Sequence, residues 1–225
     1  MRIILQLALL IGMVVPGVVA QTIAVTPSAT LFENDQVKVV RALEKPQVKG
    51  KFHDHKLNRV MVYLQSGRQR FEYHDGREPA VVSYKAGEVK WSPAEGMHSP
   101  EVVSSEPFNI IEIELKQPGT GKKITTPIDP VKIDPKHYTV EVENDQVRVI
   151  RAHLGPHEST PMHEHTLNRV IVSLSDSNVR VTGADGKVAM TERKAGEASW
   201  SVPATHREEN LNDAPFEVVA IEIKD

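Results

Sequence analysis

His163-Glu164-His165-Thr166-Leu167-Asn168-Arg169-Val170 decides how this chain is read, because a near copy stands 110 residues upstream: His53-Asp54-His55-Lys56-Leu57-Asn58-Arg59-Val60. If each stretch is extended, its two histidines share one face, since side chains on a strand alternate with period two. Two imidazoles converging from one strand supply two ligands of a three-ligand metal site. A single His-x-His is commonly a pair of surface histidines. Two copies at matching places favour a ligand pair.

The duplication extends outward from these stretches. Glu33-Asn34-Asp35-Gln36-Val37 recurs as Glu143-Asn144-Asp145-Gln146-Val147, and Arg41-Ala42 as Arg151-Ala152. Asp75-Gly76 matches Asp185-Gly186, Lys85-Ala86-Gly87-Glu88 matches Lys194-Ala195-Gly196-Glu197, and Trp91-Ser92 matches Trp200-Ser201. His98 then matches His206, and Pro107-Phe108 matches Pro215-Phe216. One unit is therefore written twice.

Each unit reads as short strands. Val37 to Ala42, Val60 to Leu64, Val81 to Tyr84 and their partners are rich in β-branched residues. Asp-Gly pairs signal hairpins. Phe108 to Leu115 and Phe216 to Ile223 alternate Ile with Glu and close the units. The Pro- and Gly-rich stretch from Gln117 to Lys136 suits an extended connector.

At the N-terminus, Arg2 precedes an apolar run from Ile3 to Val15, and Val18-Val19-Ala20 offers a small-residue cleavage site. This reads as a secretory signal peptide, so a secreted or periplasmic protein without a stable membrane anchor after cleavage is expected. The chain has no cysteine, which excludes disulfides, thiolate zinc sites and cysteine nucleophiles. A net charge of -3 and 5% aromatic residues give no sign of a nucleic-acid partner.

Gly155…Pro161-x-His163-x-His165, followed by Gly196…Pro203-x-x-His206-x-x-x-Asn210, resembles the two motifs of the cupin superfamily. The likeness covers both halves and implies an all-β protein of two tandem cupin jelly-roll barrels, a bicupin. The implied organisation is a signal peptide over 1–20, one barrel over 24–116, a linker over 117–137 and a second barrel over 138–225. It also implies His163, His165 and His206, with His53, His55 and His98, as ligands of a divalent transition metal, one of Fe, Mn, Cu, Ni or Zn. Cupins include dioxygenases, isomerases, decarboxylases and inert storage proteins, so the fold does not name a reaction. A metal-dependent oxygenase or isomerase acting on a small molecule is one expectation. A metal-free module binding a small anion is the other. Many cupins dimerise, and a homodimer through a barrel edge is compatible with the pattern.

One departure stands out. The usual cupin pattern has a glutamate ligand four residues after the second histidine; this chain has Arg169 there, and Arg59 in the first copy. In one outcome, three histidines hold the ion alone. In the other, the arginine abolishes the site, because a guanidinium about 5 Å from a divalent ion repels it by roughly 6–7 kcal/mol at an effective dielectric of about 20. Glu222 and Glu114 are candidate partners that would neutralise the arginines; otherwise each arginine could clamp a substrate carboxylate. The second unit keeps Pro161 and Asn210 where the first has Lys51 and Val102, and it alone has His153 and His157, either approach groups or plain surface residues. It is therefore the expected active half. Trp200, Trp91 and Asn210, with Arg169 and Arg59, complete the expected substrate-binding set, although barrel core is the favoured reading for both tryptophans.

Overall fold

A computed structural model of the chain describes residues 23–225. The expected signal peptide lies outside the described residues. The first unit contains β1 (Ala29–Glu33), β2 (Val37–Glu44), β3 (His53–His55), β4 (Arg59–Tyr63), β5 (Gly67–Tyr73), β6 (Ala80–Tyr84), β7 (Val89–Ser92), β8 (Glu95–Val102) and β9 (Phe108–Leu115). A single helical turn, α1 (Pro130–Ile133), follows. The second unit contains β10 (Tyr138–Glu143), β11 (Val147–Leu154), β12 (His163–His165), β13 (Arg169–Ser173), β14 (Ser177–Gly183), β15 (Val188–Arg193), β16 (Ala198–Ser201), β17 (Ala204–Asn210) and β18 (Phe216–Ile223).

The repeated tetrapeptides build the turns. Asn34 Oδ1 accepts from the backbone N–H of Gln36 and Val37, each at 2.9 Å, and Asn144 Oδ1 does the same for Gln146 and Val147. A side chain that satisfies its own turn explains why Asn-Asp-Gln-Val survives in both copies. The Asp-Gly pairs form the β5–β6 and β14–β15 hairpins, with Gly76 at φ +84° and Gly186 at φ +78°.

Both units have the same topology. A five-stranded sheet β1-β2-β9-β4-β7 faces a four-stranded sheet β3-β8-β5-β6, and β10-β11-β18-β13-β16 faces β12-β17-β14-β15. The named strand pairs are antiparallel, as expected of an all-β protein of two tandem jelly-roll barrels.

The two five-stranded sheets pack against each other. Ile111, Ile113 and Leu115 of β9 share one buried cluster with Val219, Ile221 and Ile223 of β18. The alternate residues of those strands, Phe108 and Ile110, or Phe216, Val218 and Ala220, fill the separate barrel interiors. Reciprocal hydrogen bonds join the units as a pseudo-twofold pair. Arg41 Nη2 donates to the Gly196 carbonyl at 2.7 Å, and Arg151 Nη2 to the Gly87 carbonyl at 2.6 Å. Asn58 donates to Gln146, and Asn168 to Gln36. Gly196 sits at φ +85°, and a Cβ there would meet Ile23 Cγ2 at 3.2 Å, so conformation and close packing both favour glycine.

The connector is not a solvated tether. Asp129 caps α1 and is buried, Pro130 occupies the first turn, and the Glu164 N–H donates to the Ile128 carbonyl at 2.9 Å. That bond fixes β12, which carries His163 and His165.

Candidate metal centre

Each triad is assembled by a three-residue strand pairing with a longer one. In the second unit, His163 lies opposite His206 and the β12–β17 ladder is regular. In the first, His53 lies opposite His98, but the β3–β8 register slips and puts His55 opposite Glu95. In both triads the candidate ligand atoms lie within 4.8 Å of one another. The triangles are similar in size: ring centroids are 4.6, 5.2 and 5.6 Å apart in the second unit, and 4.8, 4.8 and 5.2 Å in the first. Spacing does not distinguish the units. Burial and hydrogen bonding do.

His163, His165 and His206 are all buried, whereas only His98 is buried in the first unit. His163 Nδ1 is 3.0 Å from the Pro161 carbonyl oxygen, and His165 Nδ1 is 2.8 Å from Glu222 Oε1. Donation of the Nδ1 hydrogen to a fixed acceptor leaves the lone pair on Nε2, the arrangement metal-bound imidazoles use. Burial holds the His163 imidazole below its ordinary pKa and His206 at about 4, so both rings are neutral near pH 7.

Glu222 is fully buried and belongs to a chain of ion pairs. Arg148 Nε donates to Glu222 Oε2 at 2.7 Å, and Arg148 Nη1 meets both oxygens of Asp129, at 2.8 and 3.1 Å. Burial pushes the Glu222 carboxyl up, but the bonds from His165 and Arg148 outweigh it and hold it below the ordinary carboxylate range. The expected Arg169–Glu222 pair is therefore corrected: Glu222 serves His165 and Arg148. It does not face solvent either, because it shares the barrel-interior face of β18 with Val218 and Ala220.

Arg169 lines the second cavity, of about 250 Å³, and its Nη1 donates to the Val202 carbonyl at 2.9 Å. Among the described residues it has no carboxylate within ion-pair distance. Burial lowers its pKa, opposed by the charges of Glu222 and Glu208. Arg193, Tyr138 and Glu208 line the same cavity.

Arg59 behaves differently. Its Nη1 is 2.9 Å from His55 Nε2 and 3.0 Å from Glu112 Oε2, and its Nη2 is 2.9 Å from Ser92 Oγ. A neutral imidazole has one lone pair, and here the guanidinium takes that of His55. Burial, then the Arg59 charge, pushes His55 down to about 3. The expected Arg59–Glu114 pair is corrected to Arg59–Glu112; Glu114 lies 3.8 Å from Lys38. The position of Glu112 is Ala220 in the second unit, which explains why Arg169 is not drawn the same way.

Two expected substrate-binding residues do not reach the second cavity. Asn210 is buried, and its amide donates to the Leu154, Gly155 and Ala214 carbonyls, at 3.3, 2.9 and 2.9 Å. It closes a loop. Trp200 packs against the core between the units, whereas Trp91 touches that core and also lines the first cavity, of about 330 Å³. His153 and His157 are surface residues paired with Glu217 and Asp213. Sequence reading missed Glu208, Tyr138, Arg193, Arg148 and Asp129. Glu208 carried a signal: two residues after His206, it must share its face of β17.

The fold has known counterparts. The chain is similar to AerE from Microcystis aeruginosa, with a TM-score of 0.60 and 13% identity, over 88% of this chain and 97% of that one. It is similar to a cupin 2 conserved barrel domain protein from Leptotrichia buccalis, with a TM-score of 0.53 and 14% identity, over 88% of each chain. It is also similar to a single-residue variant of oxalate decarboxylase from Bacillus subtilis, with a TM-score of 0.60 and 14% identity, over 88% of this chain and 72% of that one.

The chain has the bicupin fold.

No family model and no curated protein sequence matches it. At such low identity the likeness concerns architecture, and the chemistry of this bicupin rests on its own residues.

Proposed function

We propose that this bicupin is an exported protein whose second unit binds one divalent transition metal through His163, His165 and His206 and acts on a small anionic molecule. The observation that carries the reading is the fixing of His163 and His165 through Nδ1, with no arginine on either Nε2. Neutral imidazoles suit Fe, Cu, Ni or Zn. The oxalate decarboxylase of similar fold has Mn(II) centres, which supports a metal of this class without naming it.

A bound ion would supply Lewis-acid polarisation of a substrate oxygen. The chain supplies the rest. Arg169 and Arg193 add positive charge along the cavity wall and favour a carboxylate or a similar anion. Ile150, Ile171 and Val218 make part of the lining apolar, which limits water around the reacting group. Oxygen-dependent cleavage or isomerisation of a small carboxylate fits such a site. In the first unit, the guanidinium of Arg59 stands where an ion would need the His55 lone pair, so that unit serves as the structural partner.

Metal analysis of the purified chain tests this, together with His163→Ala/His165→Ala. One equivalent of metal, lost in the double variant while the barrels stay folded, is the expected result. Absence of any stoichiometric transition metal, with no uptake of added Fe(II), Mn(II), Cu(II), Ni(II) or Zn(II), would overturn it. A second reading, a metal-free anion-binding module, is favoured by one observation, the unpaired guanidinium of Arg169. It requires anion binding that is indifferent to chelator.

A further inference from the structure

Glu208 is a half-buried carboxylate with little to hold it. Its side chain is 18% exposed, and its nearest cationic candidate among the described residues is His206 Nε2, 3.9 Å from Oε1. Its other contact is a long hydrogen bond, 3.4 Å, from the Tyr138 hydroxyl to Oε2. That same hydroxyl lies 3.3 Å from His163 Nε2, the nitrogen left free by the bond at Nδ1. Glu208 is the only acidic residue lining the second cavity, which also holds Arg169 and Arg193. A carboxylate removed from water without a counter-cation is costly unless a cation belongs beside it.

The first unit lacks this arrangement. Pro100 stands at the position of Glu208, and Ser28 at that of Tyr138. At these two positions, a carboxylate and a phenol therefore occur only in the unit whose histidines are free of arginine; the first unit's Glu95 instead lies 3.5 Å from His98 Nδ1, on the far side of that ring from Nε2.

We infer that Glu208 is the fourth protein ligand of the second unit's metal, delivered by β17 from beside His206 in place of the carboxylate absent at Arg169. Tyr138 positions it. In the metal-free chain the phenol rests against His163 Nε2, and with an ion on that nitrogen its hydrogen bond goes to Glu208 Oε2. The ligand set then carries one negative charge and offsets part of the repulsion from Arg169. This inference rests on the three-histidine reading above.

Titrating the full metal-free chain with Co(II) tests it, with affinity and the visible ligand-field spectrum as readouts. Glu208→Gln should bind Co(II) at least about tenfold more weakly than the unsubstituted chain, since even residues that only support a ligand carry effects of that size. Its Co(II) spectrum should change, and Glu208→Asp should recover part of the affinity. The metal-free Glu208→Gln protein should stay folded, because glutamine keeps the size of the side chain and can still accept from the Tyr138 hydroxyl. Binding within twofold of the original, with the same spectrum, would overturn the inference while leaving the three-histidine site intact. Failure of the original chain to bind Co(II), or equal binding by His163→Ala/His165→Ala, would overturn both.

Discussion

The two halves present the same three histidines and the same arginine, yet the structure gives them different surroundings. In the first unit, Arg59 reaches His55 Nε2 because Glu112 draws its guanidinium to that side. In the second, Ala220 replaces that carboxylate, Arg169 turns to the Val202 carbonyl, and His165 is instead anchored at Nδ1 by Glu222. Triangles of similar size thus differ in whether a guanidinium occupies an imidazole nitrogen. What distinguishes them is which imidazole nitrogen is already engaged.

The largest effect should come from the ligands themselves. His163→Ala/His165→Ala should abolish stoichiometric metal binding, while His53→Ala/His55→Ala should leave it within about twofold, since in the first unit the guanidinium of Arg59 already takes the His55 lone pair. Equal losses in calorimetric titrations would erase the asymmetry. Next, Arg148→Met should destabilise the chain by about 3–5 kcal/mol, because it leaves Asp129 and Glu222 as buried charges without their cation. Its counterpart Lys38→Met, at a partly exposed pair, should cost no more than about 1 kcal/mol. Urea denaturation measures both, and similar costs would count against the buried network.

A subtler change probes the blocking itself. Arg59→Met/Glu112→Gln removes both partners of the first unit's ion pair and frees His55 Nε2. Metal stoichiometry should rise from one towards two per chain, the new site being the weaker. No gain would show that the first unit is disabled by more than its guanidinium.

The smallest effect is one of pH. Burial holds His206 at about 4, below the value of about 6.5 expected in an unfolded chain. As pH falls, the unfolded chain binds that proton first, so the metal-free protein loses stability between about pH 6.5 and 4. His206→Gln should show a shallower decline over that window in urea midpoints. An unchanged slope would contradict the low pKa.

Much of this was legible in the residues. The repeat, the hairpin turns at Asp75-Gly76 and Asp185-Gly186, and both histidine triads follow from spacing and period two. What escaped had tertiary causes. Glu222 sits in an alternating Ile-Glu strand, a pattern that normally means one wet face, but the neighbouring barrel covers the outer side of β18 and the histidine cluster covers the inner side. The different fates of Arg59 and Arg169 depend on Glu112 and Ala220, five strands further along the chain and brought close only through sheet register. Trp200 faces the junction between units, a surface visible only once both barrels are assembled. Glu208 is the exception: its place two residues after His206 was enough to put it beside the triad.

The central claim is that one triad takes a metal and its twin does not. Anomalous diffraction at the cobalt edge, from crystals of the full chain grown with Co(II), tests it most directly. The account predicts a single strong peak enclosed by His163, His165 and His206. A peak of equal height among His53, His55 and His98, or none in the second unit, would contradict it.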